Sequence, residues 1–196
     1  MIRKMREERQ DMAENNSSGK TARTAWVLRI IATAAVITWM VIIFLMSADD
    51  GDQSSKKSEA IVDVIVDAAV GVKLMTREEV TPSVRDRIGF YVRKAAHATE
   101  YAILGALCVL ALAAWGVRRL ALRSAFAWPV AAAYAASDEY HQLSVSGRSG
   151  EIRDVLIDIA GATVGILLTV LVMCIVRRRR ENRQKVSENV TKHGAE

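Results

Sequence analysis

Residues 154–180 read DVLIDIAGATVGILLTVLVMCIVRRRR, and the order of chemistry along them decides the fold. Asp154 and Asp158 open a run that stays apolar through Val176, and Arg177 to Arg180 stop it. A run of about 20 apolar residues at about 1.5 Å each crosses the roughly 30 Å hydrocarbon layer, so 155–176 reads as a membrane span ended by a stop-transfer signal. The aspartates are misfits there, because a charge at the bilayer centre costs about 2.5–3.5 kcal/mol even on lenient insertion scales. Such groups face a bundle interior, a water-filled cavity or a partner. Gly161 and Gly165 follow as Gly-x-x-x-Gly, a spacing that lets another helix approach closely. Beside two aspartates it reads as packing within the chain.

The same design recurs upstream. Residues 95–117 are apolar but carry His97 and Glu100 in their first turns, and residues 120–137 end on Asp138, Glu139 and His141. The latter run is alanine-rich, includes Pro129, and has Arg123 near its start, where a long side chain snorkels to the interface. A further run, Trp26 to Met46, contains only Arg29 among its charges. Read as a signal peptide, it would have Met46-Ser47-Ala48 for a cleavage site, but its apolar stretch exceeds the usual 7–15 residues, about half as long again, and its basic leader is long. The expected fold is therefore all-α: an integral membrane bundle of four transmembrane helices between a leader (1–25) and a tail (177–196).

Composition agrees. A chain of 196 residues that is 51% hydrophobic and 25% charged must segregate the two along its length, as a multi-span protein does. Cys108 and Cys174 sit inside apolar runs and read as small hydrophobes. The net charge of +5 lies mostly in the tails, which suits anionic headgroups and gives no sign of nucleic-acid binding. Basic residues cluster in the leader (Arg3, Lys4, Arg6, Arg9, Lys20, Arg23), in the 118–123 turn and after Val176. By the positive-inside rule both termini and that turn are cytoplasmic, leaving 47–94 and 138–154 outside with every misfit cluster.

The long outer loop contains Ile61, Val62, Ile65, Ala69 and Val70 at helical spacing, with Glu59, Asp63 and Asp67 at i+4 on another side. An amphipathic helix follows, expected to cap the bundle, since an anionic face suits anionic lipid poorly. The leader around 14–21 reads as disordered polar chain. Nothing in the pattern indicates an oligomeric state.

On a helix, His97, Glu100, Tyr101 and Leu104 share one stripe, and Asp138, His141 and Gln142 repeat the spacing. With Lys94, Glu139, Arg148, Asp154 and Asp158 they form the candidate ligand pocket. Its chemistry admits several readings. Zinc is weighed because His and carboxylate are ordinary ligands, yet His97-x-x-Glu100 and Glu139-x-His141 are not the His-Glu-x-x-His pattern, so no metal or cofactor is assigned. Acid–base catalysis would use His97, Glu100 and His141, with Ser47, Ser54 and Ser144 as nucleophiles lacking a recognisable elbow. A structural network would pair Arg148 and Arg153 with the aspartates.

Residues 93–101 (RKAAHATEY), 137–142 (SDEYHQ), 147–150 (GRSG) and 154–161 (DVLIDIAG), with the 44–58 exit from the first span, resemble the VanZ-like family of bacterial multi-pass membrane proteins. The resemblance covers roughly 26–176 in order, and the tails and the long 72–88 stretch depart from it. The family is named for a member linked to low-level teicoplanin resistance. The resemblance implies a bacterial multi-pass protein of the cytoplasmic membrane and fixes architecture better than activity; taken with the polar cluster, the chain reads as one whose outward pocket recognises an envelope precursor or a glycopeptide-related ligand, with an effect on antibiotic tolerance. A hydrolase or transferase acting on a lipid-linked substrate, and a structural or partner-binding subunit, are the alternatives.

Overall fold

A computed structural model describes residues 1–48, 51–143 and 151–193, with side chains placed for Met1 and for 22–48, 58–143 and 151–187. Among the described residues all regular structure is helical: α1 (Ile2–Ser47), α2 (Gly51–Gly71), a 3-10 turn (Arg77–Glu79), α3 (Pro82–Ala114), α4 (Leu120–Gln142) and α5 (Ile152–His193). The chain's two prolines, Pro82 and Pro129, spare α1, α2 and α5 altogether. Residues 14–21, expected to be disordered, instead continue α1. Extending an existing helix fixes one residue per hydrogen bond gained, and this stretch contains no proline to stop it.

Local chemistry sets the other boundaries. Thr81 Oγ1 accepts from the Val84 amide at 3.4 Å, and Pro82 occupies the first turn of α3, where a missing N–H costs nothing. Gly116, at φ 88°, closes α3 in a Schellman arrangement, with the Val117 amide bonded to Leu112 O at 3.0 Å. Lys73 closes α2 the same way at φ 59°, the Leu74 amide reaching Ala69 O at 2.9 Å. In the turn between α2 and α3, Glu79 accepts from the Thr76 amide at 2.7 Å and hydroxyl at 3.1 Å. Those bonds hold its carboxyl below the usual carboxylate range.

Among the described residues, three helices are long and apolar enough to cross a membrane: Ala22–Ser47, Pro82–Ala114 and Ile152–Ser187. The expected span at 120–137 lies in α4, which is not among them. Alanine adds little apolar area, and Ala127, Ala131 and Ala135 are all turned into the protein.

Cross-helix contacts give the packing. Trp115 donates to Thr33 at 3.0 Å and Trp39 to Glu100 O at 2.9 Å, so α1 and α3 run antiparallel. Tyr134 donates to Met40 O and Ser47 to Asp138, so α4 runs with α1. Trp128 donates to Thr163 at 3.2 Å and the Glu151 amide to Glu139, so α4 opposes α5. Helices α1, α3, α4 and α5 thus alternate up and down around a core of Ile43, Tyr101, Leu104, Cys108, Val109, Ala162 and Ile166.

The parallel pair α3 and α5 meets backbone to backbone. A Cβ added at Gly161 or Gly165 would collide with the Ala98 or Ala102 carbonyl, and one at Gly105 would stand 2.6 Å from Ala162 O. The glycines let these helices touch. Ile30, Ile31, Leu167 and Leu168 on the outer flanks stay exposed, as acyl-facing residues do.

Helix α2 lies against the first turns of α3, and its buried face differs from the one expected. Ser58, Val62 and Val66 are buried, whereas Ile61 and Ile65 are exposed with Val64. Asp63 and Asp67 on the exposed side reach Arg85 and Arg77.

Candidate functional site

The alternation brings the end of α1, the first half of α3, the end of α4 and the start of α5 to one end of the bundle. Six polar side chains there are nearly inaccessible: Ser47 at 0%, Asp138 at 2%, Asp158 at 3%, Gln142 at 6%, and Glu100 and Glu139 at 8%. Burying so many polar groups is costly unless they are hydrogen-bonded, paired or hydrated.

Part of the cluster is internally satisfied. Ser47 Oγ donates to Asp138 Oδ2 at 2.7 Å, and Gln142 Nε2 donates to the same oxygen at 3.0 Å and to Ser47 Oγ at 3.4 Å. Asp138 therefore ties the end of α1 to α4. Glu139 accepts from the Glu151 amide and fixes the start of α5 against α4. The Tyr101 hydroxyl lies within electrostatic reach of Asp138 and Asp158 from inside the core.

The remainder surrounds a cleft. Lys94, His97, Gln142, Asp154, Ile157 and Asp158 line a cavity of about 10 Å³, room for about one water molecule. Lys94 pairs with Asp154 across the α3–α5 contact. His97 Nδ1 stands 3.6 Å from Glu100 Oε2. Asp158 lies within electrostatic reach of Asp138, Asp154, Glu100 and Glu139, so five carboxylates share the neighbourhood.

Lys94, His97, Gln142, Asp154 and Asp158 thus share one cavity, while Glu100, Tyr101, Asp138 and Glu139 form its buried surround. His141 is placed differently. Its ring stacks on Phe44 of α1 with centroids 4.2 Å apart, and it is not among the residues that line the cavity. The expected pairing of Arg153 with an aspartate is replaced by Lys94–Asp154, since Arg153 is exposed. Arg148, expected in the pocket, and Ser144 fall outside the described residues. No His, Cys, Asp and Glu group among the described residues has the arrangement of a metal site. Gly161 and Gly165 act from beneath, placing Asp158 beside α3.

Ser47 entered the sequence reading only as a candidate nucleophile and not as a tie between helices, and Trp39 and Phe44 did not enter it as site residues. A serine at the end of an apolar run is a recognisable signal, since it is the last group able to bond before the chain leaves the membrane. Trp39 carried none, because its partner is the Glu100 backbone carbonyl.

No curated protein and no solved structure matches this chain. The model of the VanZ/LLP1 family matches residues 32–174, a span that begins inside α1 and ends inside α5, includes every described residue of the polar cluster and covers well over half of the sequence. An all-α protein with membrane-spanning helices and this match belongs to the VanZ/LLP1 family.

Proposed function

We propose that the chain is a four-span protein of the bacterial cytoplasmic membrane whose outward-facing polar pocket recognises a cell-envelope component, with an effect on glycopeptide tolerance. The fourth span is α4. It faces α5 from Arg123 beside Met173 to Glu139 beside Glu151, and so traverses the same depth as a helix that is long and apolar enough to cross. Its weak hydropathy is offset by burial of its alanine face. Helix α2 caps the polar end. The basic 118–123 turn and the basic tails lie at the opposite end, which the positive-inside rule puts in the cytoplasm.

The observation that carries the reading is the cavity itself, an opening at the polar end lined by Lys94, His97, Gln142, Asp154 and Asp158. Among the described residues, Asp154 and Asp158 stand at its wall with Glu100, Asp138 and Glu139 nearby, which suits a ligand bearing an ammonium or several hydroxyls, such as an amino sugar or a peptide amine of an envelope precursor. The cavity holds about one water, so recognition is of a small terminal group entering at its mouth and not of a whole sugar.

Asp158 lines the cavity, whereas Asp138 is occupied as a structural tie, and this difference defines the test. Asp158→Asn keeps the shape, removes one of five neighbouring carboxyl groups and is expected to leave membrane abundance unchanged. Cross-linking to photoreactive lipid-linked precursors in native membranes is expected to fall about tenfold, the equivalent of one charge-assisted contact, with glycopeptide tolerance falling alongside. Unchanged cross-linking in a folded Asp158→Asn protein sinks the proposal.

A second reading is favoured by His97. Its imidazole lies near Glu100 and lines a water-sized cavity, an arrangement suited to a hydrolase or transferase acting on a lipid-linked substrate. In that case His97→Gln membranes retain the cross-link but accumulate uncleaved substrate.

A further inference from the structure

A second and larger opening lies outside the polar cluster. Ser58, Glu59 and Val62 of α2 face Arg85, Asp86, Gly89 and Arg93 of α3 across a cleft of about 240 Å³. Arg85, Gly89 and Arg93 are spaced i, i+4, i+8 and so share one face of α3. The cleft is at the same end of the bundle as the cluster, and Lys94 follows Arg93 directly. Phe90 and Tyr91 stand exposed beside it, edge to face at 5.6 Å, where interfacial aromatics meet headgroups.

The charges are mixed. Two guanidiniums and two carboxylates line one opening, so a purely anionic ligand would meet Glu59 and Asp86, and a purely cationic one would meet Arg85 and Arg93. Arg85 gives one N–H to Asp63, which leaves part of a five-donor fork. Planar guanidinium forks match phosphate oxygens, and carboxylates match a primary ammonium. Gly89 keeps the floor low: a Cβ there would meet Val62 at 3.7 Å and Arg93 at 3.8 Å, ordinary contacts, so a longer side chain would extend into the open space.

We infer that this cleft binds a phosphoethanolamine group, with the phosphate toward Arg85 and Arg93 and the ammonium toward Glu59 and Asp86. The inference goes beyond the pocket reading and does not depend on it. Two sources share the chemistry, an aminophospholipid of the surrounding leaflet and a soluble phosphoethanolamine ester.

The full chain in detergent micelles, titrated with short-chain phosphatidylethanolamine, phosphatidylcholine, phosphatidylglycerol and glycerophosphoethanolamine, provides the test by native mass spectrometry. Phosphatidylethanolamine is expected to bind about tenfold tighter than phosphatidylglycerol, and tighter than phosphatidylcholine, whose quaternary amine donates no hydrogen bond. Glycerophosphoethanolamine binding equal to that of the lipid assigns the soluble source, and weaker binding assigns the leaflet. The double variant Glu59→Gln, Asp86→Asn is expected to erase the preference, and Gly89→Leu to abolish binding, both with unchanged helical circular dichroism. Equal affinity for the three lipids, or a folded Gly89→Leu protein that binds as the parent does, overturns the inference. Failure of Asp158→Asn to change precursor cross-linking would leave these results untouched, so the two proposals fail separately.

Discussion

Ser47 illustrates how much a single side chain decides. Its hydroxyl is fully buried and bonded to a carboxylate, at the point where α1 would otherwise be free to swing from α4. Hydrogen bonds to charged groups contribute about 1.5–3 kcal/mol in soluble proteins, whereas bonds between membrane helices average about 0.6 kcal/mol. A buried, charged acceptor places this one between those values. Ser47→Ala is expected to destabilise the protein by about 1–2 kcal/mol, read as a shift in its unfolding transition in mixed micelles. By contrast Arg177, paired to Glu181 at 2.8 Å but exposed, holds almost nothing together. The residue types of the cluster were legible in the sequence. The partner of each was not, because Lys94 takes Asp154 across a contact between α3 and α5 that only their packing creates.

At the level of elements, the ends of helices were less legible than their cores. Lys73 adopts φ 59° where a glycine would close the helix without steric cost. A left-handed conformation costs an L-residue about 1–2 kcal/mol, and glycine returns part of that gain as unfolded-state entropy. Lys73→Gly is therefore expected to stabilise the α2–α3 turn by about 0.5–1 kcal/mol, measured as slower amide exchange at Leu74. Helix α2 occupies the stretch where periodicity suggested an amphipathic helix, but the face it buries is not the one that pattern marked. Ile61 and Val62 are adjacent and similarly apolar, so hydropathy alone does not distinguish which of the two is buried, and Val62 is the one that packs. The polar leader continued α1 because a helix already formed needs a breaker to end it, and composition alone did not supply one.

For the whole molecule, the central property is direction. Helices α1, α3, α4 and α5 alternate, so the basic ends and the polar cluster occupy opposite poles. In intact cells, with Cys108 and Cys174 replaced by alanine, a membrane-impermeant thiol reagent is expected to label Glu78→Cys and to spare Glu181→Cys. The reverse labelling would turn the proposed pocket toward the cytoplasm and remove envelope recognition as its role.

What the sequence determined by itself is one-dimensional: apolar runs of sufficient length, charges at their ends, basic stops and glycines at four-residue spacing. These suffice for an all-α membrane protein of this family, because desolvating the backbone leaves a lipid-exposed chain little choice but helix. The tertiary structure decided the rest, namely the rotation of each helix about its axis and its height beside its neighbours. Both depend on contacts between distant residues, such as Gly165 against Ala102 and Ser47 against Asp138. That is why five carboxylates could be recognised in the chain, while the water-sized cavity beside Asp158 and the separate placement of His141 against Phe44 emerged only from the packed helices.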